Sequence, residues 1–500
     1  MATTRSEAGK WAALAAALLG WMFDGFEMGL FPLVARPALH DLLRSDSDAL
    51  IGQWFGIITA GFLVGAATGG VLFGWLGDRI GRVRAMALSI LTYSLFSGLC
   101  GLADSAVTLL IYRILASLGM GGEWALGVSL VMELWPNQSR GWLAGLIGAA
   151  SNVGFVLVAL VSLFLAQVLG SLQQLLLIIG LSQGQVETLS AHGGWRIMLM
   201  CGALPALVTF LIRLFVPESE KWTEEKEKGS TSKWATVDLL GVLIGSLGPI
   251  GMIVLWARPD VPGSVRVLGT IVGLVIAILG YLFPVSRYLK RMEEGKTLVG
   301  ANGQPVMKLM LIGALISGIP LLGTWGALQW AATWADSLTK GTSISHAKEY
   351  TQIATGLGAI MGTYAAAIAG HVFGRRLTYF ALTLLALGSV QLFYQTNTSF
   401  GTWFLISGFL AGGTTAAFYG WLPLYLPELF PTSVRATGQG FAFNFGRILA
   451  AVGSLQASFL VKDVFKGDYA SAASVIGCVY LFGFVFIWLA PETKGKELPA

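Results

Sequence analysis

Apolar runs long enough to cross a membrane follow one another along almost the whole chain. A hydrocarbon core of roughly 30 Å needs about 20 apolar residues per helix. Runs of that length fall at 11–35, 51–75, 85–103, 106–134, 142–169, 195–216, 237–256, 265–288, 306–331, 351–372, 376–394, 401–426, 433–461 and 470–490. They predict fourteen spanning helices. Residues 172–181 (LQQLLLIIGL) are equally apolar but too short to cross. Before span 6 they read as a cap lying on the membrane surface rather than a gate.

Composition turns this pattern into a solvent argument. The chain is 55% hydrophobic and 12% charged, with 65 glycines among 500 residues. A soluble protein of this length needs far more charge to cover its surface, so the excess apolar surface faces lipid. The net charge of +5 sits in short loops, with no basic stripe and interleaved aromatics, which excludes a nucleic-acid partner. Arg79, Arg82, Arg84, Arg140, Lys221, Lys226, Lys228, Lys233, Arg287, Lys290, Arg291, Lys296, Arg375, Arg376, Arg435, Lys494 and Lys496 share one side if both termini are cytoplasmic. The opposite loops are poorer, holding Arg36, Arg44, Lys340, Lys348, Lys462 and Lys466. The first run begins near Trp11 and carries Asp24 and Glu27, which suits a retained span rather than a cleaved signal. Cys100, Cys201 and Cys478 lie far apart in apolar runs, and the four histidines show no ligand spacing, so neither a disulfide framework nor a metal site is expected.

The chain also repeats itself. Glu133-Leu-Trp-Pro136-Asn-Gln-Ser-Arg140 after span 4 returns as Glu428-Leu-Phe-Pro431-Thr-Ser-Val-Arg435 after span 12. Gly77-Asp78-Arg-Ile-Gly81-Arg82 after span 2 returns as Gly370-His371-Val-Phe-Gly374-Arg375 after span 10. Each half closes on a Pro-Glu-hydroxyl triplet, Pro217-Glu218-Ser219 and Pro491-Glu492-Thr493. Two motifs at nearly the same offset indicate a duplicated bundle. Spans 7 and 8 lie outside the repeat.

The Gly77–Arg82 loop resembles the signature of the major facilitator superfamily. The paired E-L-[WF]-P-x-x-x-R segments and the closing PES and PETKGK resemble its sugar-porter and metabolite–proton symporter branches. Asp24-Gly-Phe-Glu27 and Arg113-x5-Gly119-Met-Gly-Gly-Glu123-Trp124 look like those of metabolite and sialate symporters. The resemblance covers the whole chain and implies an all-α polytopic protein. Two six-helix bundles, 1–222 and 306–500, would rock about a central site, with linkers and two extra helices in 223–305. It further implies a proton gradient as the energy source, no cofactor, a small-molecule solute, a lipid bilayer and function as a monomer. A bacterial inner membrane is the expected location. Fourteen-helix drug exporters share the helix number, but span 5 lacks their Gly-Pro motif; the lone Gly248-Pro249 lies in the inserted pair.

Buried charge supplies the candidate chemistry, because a charge near the bilayer centre costs roughly 2.5–3.5 kcal/mol even on the lenient scale. Asp24 and Glu27 lie three residues apart on one helical face, and two nearby carboxylates disfavour double ionisation. The family pattern sets an acid of helix 1 opposite Arg113, so Asp24, Glu27 and Arg113 are the proton-coupling candidates. Glu123, Trp124, Gln329, Trp330, Asn444 and Arg447 are the candidate solute contacts. Trp325 and Trp334 lie near them, Trp334 suiting an interfacial belt equally well. Gly77, Asp78, Gly81, Arg82, Glu133, Arg140, Glu428 and Arg435 read as a cytoplasmic gate, with Asp78 accepting from the start of a facing helix and from Arg82 or Arg140. His371 replaces the acid expected in the second half, so the gate is expected to be asymmetric. Gly61, Gly65 and Gly69 at four-residue spacing suit a close helix contact.

The function expected is proton-coupled uptake of a small organic anion or sugar acid, sialic acid being the most specific candidate. A sugar or metabolite uniporter and a drug or metabolite exporter are the transport alternatives. A membrane-embedded sensor is the alternative from another class, and an enzyme is disfavoured because no nucleophile–base or metal constellation lies within the spans.

Overall fold

The computed structural model describes residues 2–135, 139–203, 207–208, 216, 218–258, 260–291 and 298–499. Among them the only extended pairing is an isolated bridge between Val299 and Pro305; the rest is helices and their connections. The first half holds α1 (Ala2–Leu43), α2 (Asp48–Ile80), α3 (Arg82–Cys100), α4 (Ala106–Leu134), α5 (Arg140–Ile178) and α6 (Gln183–Cys201). A short helix, α7 (Glu220–Glu227), leads to the inserted pair α8 (Leu239–Ala257) and α9 (Gly263–Arg291). The second half holds α10 (Val306–Gly326), α11 (Ala331–Thr339), α12 (Ala347–Phe373), α13 (Arg375–Thr396), α14 (Thr402–Ala416), α15 (Phe418–Tyr425), α16 (Arg435–Phe459), α17 (Tyr469–Gly477) and α18 (Tyr480–Phe486).

Eleven helices among the described residues are long and apolar enough to cross a membrane. The other three expected spans differ for separate reasons. Span 6 begins at Trp195, after a bend at Ala191–Gly194 where His192, Gly193 and Gly194 take positive φ; residues 204–206 and 209–215 lie outside the described residues. So do Pro136, Pro217 and Lys296. Span 12 is divided at Ala417 into α14 and α15. Span 13 is α16, whose Arg435, Gln439, Asn444 and Arg447 lower its apolarity.

One expectation is corrected outright. Residues 172–178 are not a separate surface cap but the last two turns of α5, which runs unbroken for 39 residues. At 1.5 Å per residue it is about 58 Å long, nearly twice the hydrocarbon thickness. Hydropathy alone cannot show where a membrane ends along a helix that stays apolar beyond it.

The membrane-level charges are held inside an otherwise apolar core, while large apolar side chains also face outward, as a lipid surround requires. Phe164, Leu243, Met361 and Phe373 are all more than 60% exposed, whereas Glu27, Arg82, Arg435 and Asn444 are fully buried. Small residues allow the backbones to meet. A Cβ on Gly69 of α2 would overlap the carbonyl of Leu118 on α4, and one on Gly65 would strike Ser117 Oγ.

Two seams join the halves, α2 against α16 and α5 against α12. In the first, Gly440 sits against the backbone of Gly70 with no room for a side chain. The inserted pair packs on this same seam, touching both α2 and α16. Thr68 and Tyr281 share a buried hydrogen bond of 2.8 Å, Gln53 Nε2 donates to Ala257 O at 2.7 Å, and Arg79 donates to Thr236 Oγ1 at 2.7 Å. Both chain ends lie on one face: Trp11 meets Trp135 edge-on at 5.8 Å, and Arg435 donates to Pro499 O at 2.7 Å. This is called the gate face below, and its opposite the far face.

Candidate functional site

A cavity of about 110 Å³ lies between the halves. Trp21 of α1, and Asn152 and Phe155 of α5, form its first-half wall. Trp325, Gln329, Tyr419, Phe443 and Arg447 form the second-half wall. A break in the second half aims one of these groups. After Gly326 the helix leaves α geometry at Ala327 (φ −115°, ψ −65°) and tightens into a 3₁₀ turn, Leu328–Trp330. Tyr394 donates its hydroxyl to the released Ala327 carbonyl at 2.7 Å, which fixes the break. The break delivers Gln329 to the cavity, and its Nε2 makes no hydrogen bond among the described residues; nor does Trp21 Nε1. Buried donors of this kind demand an acceptor.

Two arginines carry the charge. Arg113 of α4 donates to Glu27 of α1, with Phe31 and Phe62 at 5.0 and 4.4 Å from its guanidinium. Glu27 is fully buried, and Ser97 lies alongside it. Arg447 of α16 donates to Asn444 Oδ1 at 2.7 Å and lies over Phe443 at 5.2 Å. Asn444 is held in turn by Gly440 O at 2.9 Å and, across the seam, by Gly121 O at 3.3 Å. Asp24 lies within electrostatic reach of Arg447. One turn of α1 thus sends its two carboxylates to different arginines, Glu27 to its own half and Asp24 to the other. Both also lie within electrostatic reach of Tyr93, as does Glu123.

The structure redistributes several expected contacts. Gln329 and Arg447 line the cavity, and Asn444 positions Arg447 from behind. Trp124 does not line the cavity: it stacks on Phe443 at 3.9 Å and supports Trp21 at 6.0 Å. Trp330 is directed away from the cavity by the 3₁₀ turn and meets Phe55 and Tyr469 towards the far face. Trp334 packs among Phe393, Tyr394 and Phe404 rather than in an interfacial belt. Glu123 is buried on α4, outside the cavity lining. Residues passed over include Trp21, Asn152, Phe155, Tyr419 and Phe443. Asn152 carried a readable signal, an amide in the middle of an apolar span. So did Gln352 of α12, which donates to Phe155 O at 2.9 Å and closes the α5–α12 seam beyond the cavity.

The gate motifs meet on the gate face. Asp78 accepts from Thr437 N at 2.8 Å, Thr437 Oγ1 at 2.6 Å and Ala436 N at 3.3 Å, capping the start of α16. It also accepts from Arg82 Nη1 at 2.8 Å. Arg82 donates on to Gly77 O at 2.8 Å and, across the halves, to Thr432 O at 2.9 Å. Arg435 donates to Glu133 at 2.8 Å, also across the halves. In the second half Arg375 grips Glu428 with two bonds of 3.0 and 2.6 Å and donates to Gly370 O at 2.8 Å. Arg140 lies within electrostatic reach of Glu428, the counterpart of Arg435 beside Glu133. Gly81 and Gly374 both take positive φ, 114° and 99°, where a side chain would be strained.

The closing triplets repeat the plan. Ser219 donates to Glu133 at 2.5 Å and Thr493 to Glu428 at 2.6 Å. Glu218 accepts from the backbone of Arg82 and Val83, and Glu492 from that of Arg375 and Arg376. These equivalent caps titrate oppositely. Burial pushes the Glu218 carboxyl above its ordinary range, with its backbone donors and Arg82 only partly opposing. Burial also opposes charge on Glu492, but the N–H groups of Arg376, Arg375, Lys494 and Thr493 hold it below that range.

Helical halves that latch together on one face, around a mainly apolar cavity that Gln329 and Arg447 enter, inside a lipid-facing shell, fit a transporter of the major facilitator type. The chain matches the Sugar (and other) transporter family over residues 12–239 and 333–500, and it belongs to that family. The unmatched stretch between takes in the inserted pair. A putative metabolite transport protein of Haemophilus influenzae is 24% identical over 98% of both chains. The niacin transporter NiaP of Acinetobacter baylyi is 26% identical over 96% of this chain and 93% of its own. The sialic acid transporter NanX of Escherichia coli is 29% identical over 44% of this chain and 47% of its own. Among solved structures, the proton:xylose symporter XylE superposes with a TM-score of 0.68 at 20% identity, over 99% of this chain and 98% of that one. The human organic anion transporter MFSD10 gives 0.62 at 16% identity, over 96% and 99%.

Proposed function

We propose that this chain is a proton-coupled importer of a small organic anion, working by alternating access in a bacterial inner membrane. In this reading the chain crosses fourteen times, with bundles at 1–222 and 306–500, the inserted pair within 223–305, and the gate face towards the cytoplasm. It works as a monomer without a cofactor, drawing on the proton gradient. The observation that carries the reading is the buried Glu27–Arg113 pair beside a cavity that Arg447 enters from the other half.

The residues divide the work. Arg447 holds the carboxylate of the solute, while Trp21, Phe155 and Phe443 pack on its body and Gln329 donates to it. A solute anion on Arg447 competes with Asp24, so loading favours protonation of Asp24 or its withdrawal. Glu27 takes up the transported proton, which frees Arg113 and lets the halves re-pair. The names of the relatives favour unsaturated or aromatic carboxylates, and NanX keeps a sugar acid such as sialic acid as the second candidate.

Proteoliposomes with an inward proton gradient test this with labelled nicotinate, muconate, sialic acid and hexoses. Accumulation of an acid, and not of a hexose, is expected. Glu27→Gln should abolish accumulation while exchange at equal concentrations persists. Gradient-driven accumulation by Glu27→Gln, or uptake of hexoses alone, would refute the reading.

A further inference from the structure

A proline inside a helix lacks the N–H that would bond the carbonyl four residues earlier, and a buried carbonyl needs a partner. In α10, Pro320 leaves the carbonyl of Ile316 free, and Tyr379 of the same half donates its hydroxyl to it at 2.7 Å. In α1, Pro37 leaves the carbonyl of Leu33 free, and here the partner comes from the other half. Lys348 Nζ of α12 donates to Leu33 O at 3.1 Å. The first bond is a fixture within one bundle; the second crosses between bundles.

One turn further along α12, Gln352 crosses as well. Its Nε2 donates to Phe155 O of α5 at 2.9 Å and stands 3.5 Å from Gly29 O of α1. A Cβ on Gly29 would come within 2.8 Å of that amide, so glycine there admits it. Because α1 starts at the gate face and α12 ends there, next to Arg375, both contacts belong to the far side. Beside them Pro32, Thr351, Gln352 and Thr355 line a side pocket of about 30 Å³. Thr355 also lines the central cavity, so the pocket continues that cavity towards the far face. One water takes roughly 10–15 Å³ of such space, so waters fit there and a solute does not.

We propose that Lys348 is a far-face strap: a positioning residue that closes the α12 flank by supplying the donor that Pro37 withholds from Leu33. This role rests on the alternating access proposed above and on neither its solute nor its ion. When the far face opens, water reaches the Leu33 carbonyl, and Lys348 has a second partner in Glu349, whose Oε1 stands 4.0 Å from Nζ. When it closes, the carbonyl leaves water, and an unpaired acceptor there would carry the full cost of desolvation. Closure therefore depends on the lysine, and opening does not.

Thiol labelling tests the strap without a solute. In a background with Cys100, Cys201 and Cys478 replaced by alanine, Thr351→Cys places a thiol in the side pocket; Ala332→Cys replaces it if that variant folds poorly. Ser171→Cys, exposed near the end of α5, is the reference. An impermeant maleimide is added to the far-face side of membrane vesicles. Lys348→Gln should speed labelling of the pocket at least about fivefold and leave the reference unchanged. Lys348→Arg should keep the rate within about twofold of the parent. Pro37→Ala returns an N–H to the Leu33 carbonyl, so in that background Lys348→Gln should change the rate less than about twofold. No acceleration, the same acceleration in both backgrounds, or a parallel rise at the reference overturns the proposal. Failure of the uptake panel with these results intact leaves the strap standing and strikes the solute or the ion alone.

Discussion

The two halves solve the gate problem with the same parts and different chemistry. In the first half Asp78 caps α16 and ties it to Arg82, so one carboxylate bridges the halves. In the second half the equivalent position is His371, which packs over Gly141 at the start of α5 and makes no hydrogen bond through Nδ1. The arginines adapt accordingly. Arg82 reaches across the seam to Thr432, while Arg375 stays within its own half, bound twice by Glu428. Duplication supplies two latches, and loss of one acid leaves a strong latch facing a weak one. A transporter must release its gate each cycle, and two full-strength latches would resist that release.

Four substitutions probe this asymmetry. The largest effect belongs to Asp78→Asn, which removes the charge that caps α16 and leaves buried Arg82 with only its longer, 3.4 Å pairing to Glu133. Breaking a buried pair costs roughly 3–5 kcal/mol, so the gate-closed state should lose at least about a hundredfold in population. Cysteine accessibility on the gate face would rise, and gradient-driven uptake would fall by at least about tenfold. Unchanged accessibility would show that the latch lies elsewhere. His371→Asp works in the other direction by placing a carboxylate at the start of α5 near Arg140. Such a charge contributes about 0.3–1 kcal/mol, so turnover should slow severalfold while thermal stability rises slightly.

The smallest effect separates the two glutamate caps. Glu492, held below its ordinary range, adds stability above its unfolded value near 4.5 and loses it as pH falls through its lower folded value. Glu218, raised by burial, contributes stability at low pH that is lost as pH rises through its folded value. At pH 7 Glu492→Gln should therefore lower the melting temperature by about 1–2 °C, and the loss should fade as pH falls below 4.5 and vanish only below the folded value of Glu492. Glu218→Gln should be neutral or slightly stabilising at pH 7. Equal and parallel responses would mean the caps are alike after all.

Much of this could be read before the structure. Apolar runs mark most of the spans, and the repeat finds both latches because each motif keeps its own spacing. The Gly61–Gly65–Gly69 spacing picks out the face of α2 that meets α4. The site is harder to read because it depends on rotation and on breaks. One residue is about 100° around a helix, and the 3₁₀ turn after Ala327 parts Gln329 from Trp330. Trp124 and Trp21 are equally aromatic, and only packing shows that Trp21 faces the cavity while Trp124 stands behind it. The division of Asp24 and Glu27 between two arginines is likewise invisible in a motif that writes them as a pair.

The length of α5 has a mechanical consequence. Starting at the gate face, it passes through the core and, at about 58 Å, is longer than a hydrocarbon core of roughly 30 Å by about 28 Å. Its base belongs to the α5–α12 seam, where the halves pack on each other. A rigid-body rotation of about 15°, the size known from other two-state assemblies, would sweep its tip through roughly 7 Å. The overhang is thus a lever arm that magnifies rocking hidden in the bilayer. A pair of spin labels or dyes, one on this arm and one on the other half, would read the transport cycle as a change in distance.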